Sequence, residues 1–187
     1  MSVELLQRVA DETTRVVDSL TPDQLGNASP CVGWTVRDVV NHITGGATMF
    51  AISAEQGKVP DEQLGQLMGG DNLGADFKAA WGTAAGRALA AFDGLDLSKM
   101  VTLPFGEMPA GVALNIAIFD VATHALDIAS STGQTIADTD LLETALEFGK
   151  QMIGPELRAP GVFDPEQPCA DDAPVEQRLL AFSGRKV

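Results

Sequence analysis

Apolar residues recur at helical spacing along most of this chain. Over residues 2–20, Leu5, Leu6, Val9, Val16, Val17 and Leu20 share a face with Thr13 between them, Ser2 is an N-cap, and Thr21-Pro22-Asp23 ends the run. The next segment has the clearest start: Thr35 as N-cap, Asp38 completing a capping box, and Trp34 and Val39 as a hydrophobic staple. That start predicts a helix from Val36 with His42 in its second turn. Residues 57–76 are rich in Gly, Asp, Gln and Pro around Gly69-Gly70, which predicts a long irregular connection, either a solvated loop or a flexible cover over a cleft. A third helix follows over 76–92, where Ala80, Ala84, Ala85 and Ala88 give a small-residue face that permits close packing.

Residues 95–106 read as a connection with a short extended piece, Met100 to Leu103. The fourth helix covers roughly 110–131 and is ended by Gly133, and Asp138-Thr139-Asp140 caps a fifth through about Met152. Gly154 to Val175 is Pro-rich and read as irregular, followed by a short helix, Glu176 to Phe182, and a basic stretch, Gly184-Arg185-Lys186. With no repeat, low-complexity tract or linker, the expectation is one all-α domain over 1–187, a helical-bundle core over about 2–153 with an extension over 154–187.

Composition narrows the partners. At 187 residues and 45% hydrophobic content a substantial core is expected, and with 5% aromatics and no Tyr it must be mainly aliphatic, which suits packed helices. Lys plus Arg number 12 against 26 Asp plus Glu, a net charge of −14, which argues against nucleic acid or an anionic membrane surface as partner. The best candidate for a membrane span, Val112 to Ala129, is interrupted by Asn115, Asp120, His124 and Asp127. Met1-Ser-Val-Glu-Leu-Leu lacks the basic and apolar regions of a secretion signal, and two lone cysteines, Cys31 and Cys169, fit a reducing cytoplasm. A cytoplasmic protein is therefore expected, and the charge balance does not identify a substrate.

Candidate chemistry centres on the two histidines. Ile116, Asp120, His124 and Asp127 share one side of the fourth helix, and Asp120 and His124 stack one turn apart, so both reach one ion. His42, from a facing helix, would be the third ligand, leaving open positions for water or a thiol. Asp127 could accept the free imidazole N–H of His124, and Asp38, one turn before His42, is the other candidate support, although capping is its competing role. Spacing alone leaves a second reading open, two histidines satisfied in the fold without a metal. Cys31 precedes a helix start, where a thiol is either activated or simply a small packing residue. No G-x-S-x-G, Walker-type loop, G-x-G-x-x-G or C-x-x-C is present.

Two stretches carry a family resemblance. Ser29-Pro-Cys31-Val-Gly-Trp34-Thr-Val-Arg-Asp38-Val-Val-Asn-His42 resembles the opening signature of the mycothiol-dependent maleylpyruvate isomerase-like proteins, part of the DinB-like metal-binding helical bundles. Phe119-Asp120-Val-Ala-Thr-His124-Ala-Leu-Asp127 resembles their second signature, and Arg178-Leu-Leu-Ala-Phe-Ser-Gly184-Arg185 is similar to the ending of an actinobacterial subfamily. The resemblance implies a DinB-like four-helix bundle and a divalent metal on His42, Asp120 and His124, with zinc the first expectation and nickel the second. It also implies a low-molecular-weight thiol such as mycothiol as cosubstrate, a transferase or isomerase acting on a small electrophile, and a homodimer. Two positions depart from the pattern: Leu126 stands where Trp is common, and Asp120 is one methylene shorter than the Glu of the isomerase. The stretch after the fourth helix is too short for a separate substrate domain, so maleylpyruvate is not assigned. The rival readings are a metal-dependent hydrolase, a non-catalytic metal-binding protein and, last, a non-haem iron enzyme, for which two histidines and a carboxylate also suffice.

Overall fold

The computed structural model describes residues 2–158 and 163–187. Helix α1 (Val3–Asp18) starts at Ser2, whose side chain accepts from the Leu5 N–H, and a single 3-10 turn (Pro22–Gly26) carries the chain to α2. Helix α2 (Val36–Gln56) begins at the capping box read from the sequence: Thr35 accepts from the Asp38 N–H, and Asp38 accepts from the Thr35 N–H. Gly57, with φ of 84°, ends it in the left-handed conformation that glycine adopts without steric cost. Then come α3 (Asp61–Gly69), α4 (Phe77–Phe92), strands β1 (Met100–Leu103) and β2 (Gly106–Pro109), α5 (Ala110–Thr132), α6 (Thr139–Met152), α7 (Pro155–Arg158) and α8 (Val175–Phe182).

Four long helices form the bundle, with α2 packed on α4 and α5, and α1 on α5 and α4. The small face of α4 allows its close approach to α2, since Ala84, Ala85 and Ala88 are all buried. Helix α5 is the central element: Leu114, Ile118 and Ile128 are fully buried, and it meets α1, α2, α6, α8 and the strands. It is the one helix among the described residues long and apolar enough to cross a membrane, and most of it is buried inside the bundle. Helix α8 packs on α6 and α5, which brings Arg185, just after it, against Asp127 in the C-terminal part of α5.

Three features differ from the sequence reading. The 57–76 connection is not irregular throughout, because α3 occupies Asp61–Gly69. Its glycines lower its helix propensity, and docking supplies the difference: Leu64 and Leu67 pack against the core, and Asp61 and Glu62 sit favourably in the first turn. The extended piece Met100–Leu103 has an antiparallel partner in β2, with Val101 opposite Met108, and buries Val101 and Leu103 on its inner face. The 154–175 tail contains the short turn α7, and residues 159–162 of that reading lie outside the described residues.

Candidate metal centre

His42 is placed by the start of α2, and Asp120 and His124 by successive turns of α5. Because α2 and α5 pack face to face, the three side chains meet, each offering one ligand atom within 4.8 Å of the others. His42 Nε2 lies 3.2 Å from Asp120 Oδ1, and His124 Nε2 lies 3.6 Å from the same oxygen. Donors on a four-coordinate ion at bond lengths of about 2.0–2.2 Å sit about 3.3–3.5 Å apart. The donor set therefore fits one divalent ion in chemistry, and its two distances to Asp120 lie near that spacing. A Cβ at Gly46, one turn beyond His42, would meet Asp120 Oδ2 at 3.6 Å, an ordinary van der Waals contact.

Behind His124 lies a second carboxylate. His124 Nδ1 is 2.9 Å from Asp127 Oδ2, and the Asp127 side chain is wholly buried. Asp127 also receives a two-point contact from Arg185, Nε to Oδ1 at 3.2 Å and Nη2 to Oδ2 at 2.8 Å. With Nδ1 committed to Asp127, a neutral His124 presents the lone pair of Nε2 to the cluster, the form a metal ligand requires. The His124 Nε2–Asp120 distance of 3.6 Å is longer than a hydrogen bond, so no proton is required between them.

An aromatic wall completes the site. The Trp34 ring stacks nearly parallel on His124, centroids 5.8 Å apart at 8°, and meets His42 edge-on at 5.1 Å. His42 and Asp120 keep about a quarter to a third of their side-chain surface exposed, so the cluster opens to solvent on their side.

The electrostatics follow from burial set against pairing. Burial disfavours a charged Asp120, but the charge and hydrogen bond of His42, with His124 and Arg185, outweigh it and hold the carboxyl below its usual range. Asp127 behaves alike, with the hydrogen bonds from His124 and Arg185 overcoming burial. Burial also opposes a charged His42, and the Asp120 carboxylate outweighs it, raising the imidazole above its ordinary value.

Of the residues read from the sequence, His42, Asp120, His124 and Asp127 come together. Asp38 does not join them: its carboxylate accepts from the Thr35 N–H and hydroxyl at 2.8 and 2.6 Å, so capping is its role rather than support of His42. Cys31 is half-buried and unpaired, and burial pushes its thiol up despite the opposing charge of Arg185, so it is not an activated nucleophile. Sequence reasoning missed two site residues. Trp34 reads locally as packing at the helix start and Arg185 as part of a basic stretch, and although both fall in stretches that carry the family resemblance, neither stands out there as a site residue. A cleft of about 440 Å³ between α2 and α4, lined by Thr44, Thr48, Asn72, Asp76, Thr83 and Arg87 among others, shares no residue with the cluster.

Residues 6–129, which include His42, Asp120, His124 and Asp127, match the family described as Mycothiol maleylpyruvate isomerase N-terminal domain. Uncharacterized protein MT0763 of Mycobacterium tuberculosis is 34% identical over 183 residues, covering 97% of this chain and 96% of that protein. Uncharacterized protein Rv0738, from a second strain of that species, matches to the same extent. The crystal structure of the mycothiol-dependent maleylpyruvate isomerase superposes with a TM-score of 0.66 at 19% identity, over 85% of this chain and 70% of that one. A mutant of that isomerase superposes with a TM-score of 0.64 at 17% identity, over the same shares.

Proposed function

The chain belongs to the mycothiol maleylpyruvate isomerase N-terminal domain family, with its all-α DinB-like fold, and from that premise we propose that it is a metal- and thiol-dependent isomerase or transferase of a small electrophile. His42, Asp120 and His124 would hold one divalent ion, zinc first and nickel second, with a low-molecular-weight thiol of the mycothiol class as cosubstrate. The observation that carries this reading is the convergence of two imidazole nitrogens and one carboxylate oxygen from two facing helices within 4.8 Å.

A divalent ion bound there supplies the positive charge that keeps a coordinated thiol deprotonated at neutral pH. The chain does the remainder. Asp120 contributes negative charge and stays ionised through its neighbours. Asp127 fixes the ring plane and tautomer of His124 through Nδ1. Trp34 covers one face of His124, shields it from water and leaves the His42–Asp120 side as the approach for thiol and electrophile. The two unpaired cysteines support action in a reducing cytoplasm.

The test is a turnover screen of the zinc- and nickel-loaded protein against small electrophiles, with and without a mycothiol-class thiol. Turnover that needs both metal and thiol supports the proposal, and turnover without thiol points to metal-assisted hydrolysis instead. The separation of the 440 Å³ cleft from the cluster favours one other reading, a metal-binding protein without catalysis. Stoichiometric metal with no turnover in either arm would establish that alternative.

A further inference from the structure

Arg185 lies outside the span of the family match, yet it reaches the back of the cluster. The route is local. Helix α8 ends in a Schellman turn: the Arg185 N–H donates to the Leu180 carbonyl at 2.9 Å and the Gly184 N–H to the Ala181 carbonyl at 3.0 Å. Gly184 is required twice over, by its φ of +90° and because a Cβ would lie 2.5 Å from that of Asp164. This turn points Arg185 back at α5, where its side chain is 11% exposed against a wholly buried Asp127.

Three of the five guanidinium N–H groups have partners within the fold. Nε and Nη2 hold the two oxygens of Asp127, and Nη1 donates to the Ser183 carbonyl at 2.7 Å. The Nε–Nη2 fork is therefore spent on Asp127, and the side chain faces α5. Among the described residues, the only side chains bonded to the Asp127 carboxylate are His124 and Arg185. With His124 alone the carboxylate would be held at one point and free to pivot; the planar fork adds two more points and fixes its plane. Stability alone is a weak reason for such a pair, since buried ion pairs replaced by apolar groups of equal size often leave a protein as stable as before.

We propose that Arg185 is a positioning residue for the metal centre: through Asp127 it sets the orientation of His124, so that seating of the 183–185 turn and the grip of the site on its ion are one linked equilibrium. The proposal rests on the metal reading above. Linkage is reciprocal, so an ion held by His124 tightens the turn by the factor by which the turn tightens the ion.

The probe is Co²⁺ alone, added to the full chain and followed by its visible absorption and by chelator competition. R185M weakens Co²⁺ binding about 10–100-fold and alters the absorption envelope, the range expected when a group orienting a ligand is lost. R185K, which keeps the charge without the fork, recovers part of the loss. R178M is the control: Arg178 ties α8 to Glu143 on α6 without touching Asp127, so it leaves Co²⁺ affinity and spectrum unchanged. A measurement on the wild type requires no variant to fold: Co²⁺ slows hydrogen exchange at the Gly184 and Arg185 amides by roughly tenfold or more, the reciprocal of the affinity effect. Wild-type affinity and spectrum in R185M, exchange indifferent to Co²⁺, or an equal loss in R178M would each overturn the proposal. If the wild type bound no Co²⁺, the metal reading itself would fall; if wild type and R185M bound alike while H42A did not, only the role of Arg185 would.

Discussion

Gly45→Ala should destabilise the protein, whereas the same substitution at Gly82 should stabilise it. Gly45 sits one turn beyond His42, where α2 receives the end of α3: an added Cβ would lie 2.2 Å from the Leu67 carbonyl oxygen and 2.6 Å from Asn72 Nδ2. Ordinary contact begins at 3.4 Å, so the Leu67–Asn72 stretch must withdraw by about 1 Å. Two hydrogen bonds cross that seat: Asn41 Nδ2 to the Gly70 carbonyl (2.9 Å) and the Asn72 N–H to Asn41 Oδ1 (2.7 Å). At about 1 kcal/mol each they amount to about 2 kcal/mol. Alanine returns about 1 kcal/mol of helix propensity, leaving a net loss of about 1 kcal/mol. For a chain of this size that is a fall in Tm of about 2–4 °C. At Gly82, inside α4, a Cβ meets nothing within 4 Å, so the propensity gain stands alone and Tm rises by about 2–4 °C. Parallel thermal and urea melts followed by circular dichroism decide the matter. A Gly45→Ala protein as stable as wild type, beside a stabilised Gly82→Ala, would refute the account of how α3 is seated.

Thr35→Ala removes the oxygen that accepts the Asp38 N–H and should cost about 1 kcal/mol in a urea titration; no change in midpoint would remove the capping box as the anchor of α2. The pH dependence of metal uptake follows from His42, whose imidazole is raised above 6.5: burial works against its charge, and the Asp120 carboxylate wins. Its contribution to the stability of the ion-free protein is then full below 6.5 and fades as pH rises through the raised folded value. A ligating imidazole must be neutral, so Co²⁺ or Zn²⁺ affinity should already weaken as pH falls towards 6.5, with proton release on binding. Calorimetric titrations in buffers of different ionisation enthalpy from about pH 6 to about pH 8 measure both, and an affinity flat across that range would contradict the prediction.

What could be read in advance was what local rules control. The Thr35–Asp38 box is complete within four residues, and it fixed both the start of α2 and the depth of His42. Asp120, His124 and Asp127 are spaced by helix geometry alone, so their common face on α5 needed no tertiary knowledge. Helix α3 escaped because Gly65, Gly69 and Gly70 argue against a helix, and only the packing of the half-buried Leu64 and Leu67 against the core reverses that. Strand β2 escaped because Gly106–Pro109 carries no alternation of its own and owes its form to β1. Arg185 lies 58 residues from Asp127, a separation that no periodicity spans. Trp34 likewise had a sufficient local explanation, and its stacking on His124 depends on how α2 and α5 meet.

Elemental analysis decides whether His42, Asp120 and His124 hold a metal ion. Wild type and His124→Ala, purified without an affinity tag, would be compared for bound divalent metal, with circular dichroism to verify that the variant retains its helices. About one equivalent of zinc or nickel is expected in the wild type, lost in the variant. Wild type without metal even after incubation with divalent ions, or a His124→Ala protein with undiminished metal, would contradict it.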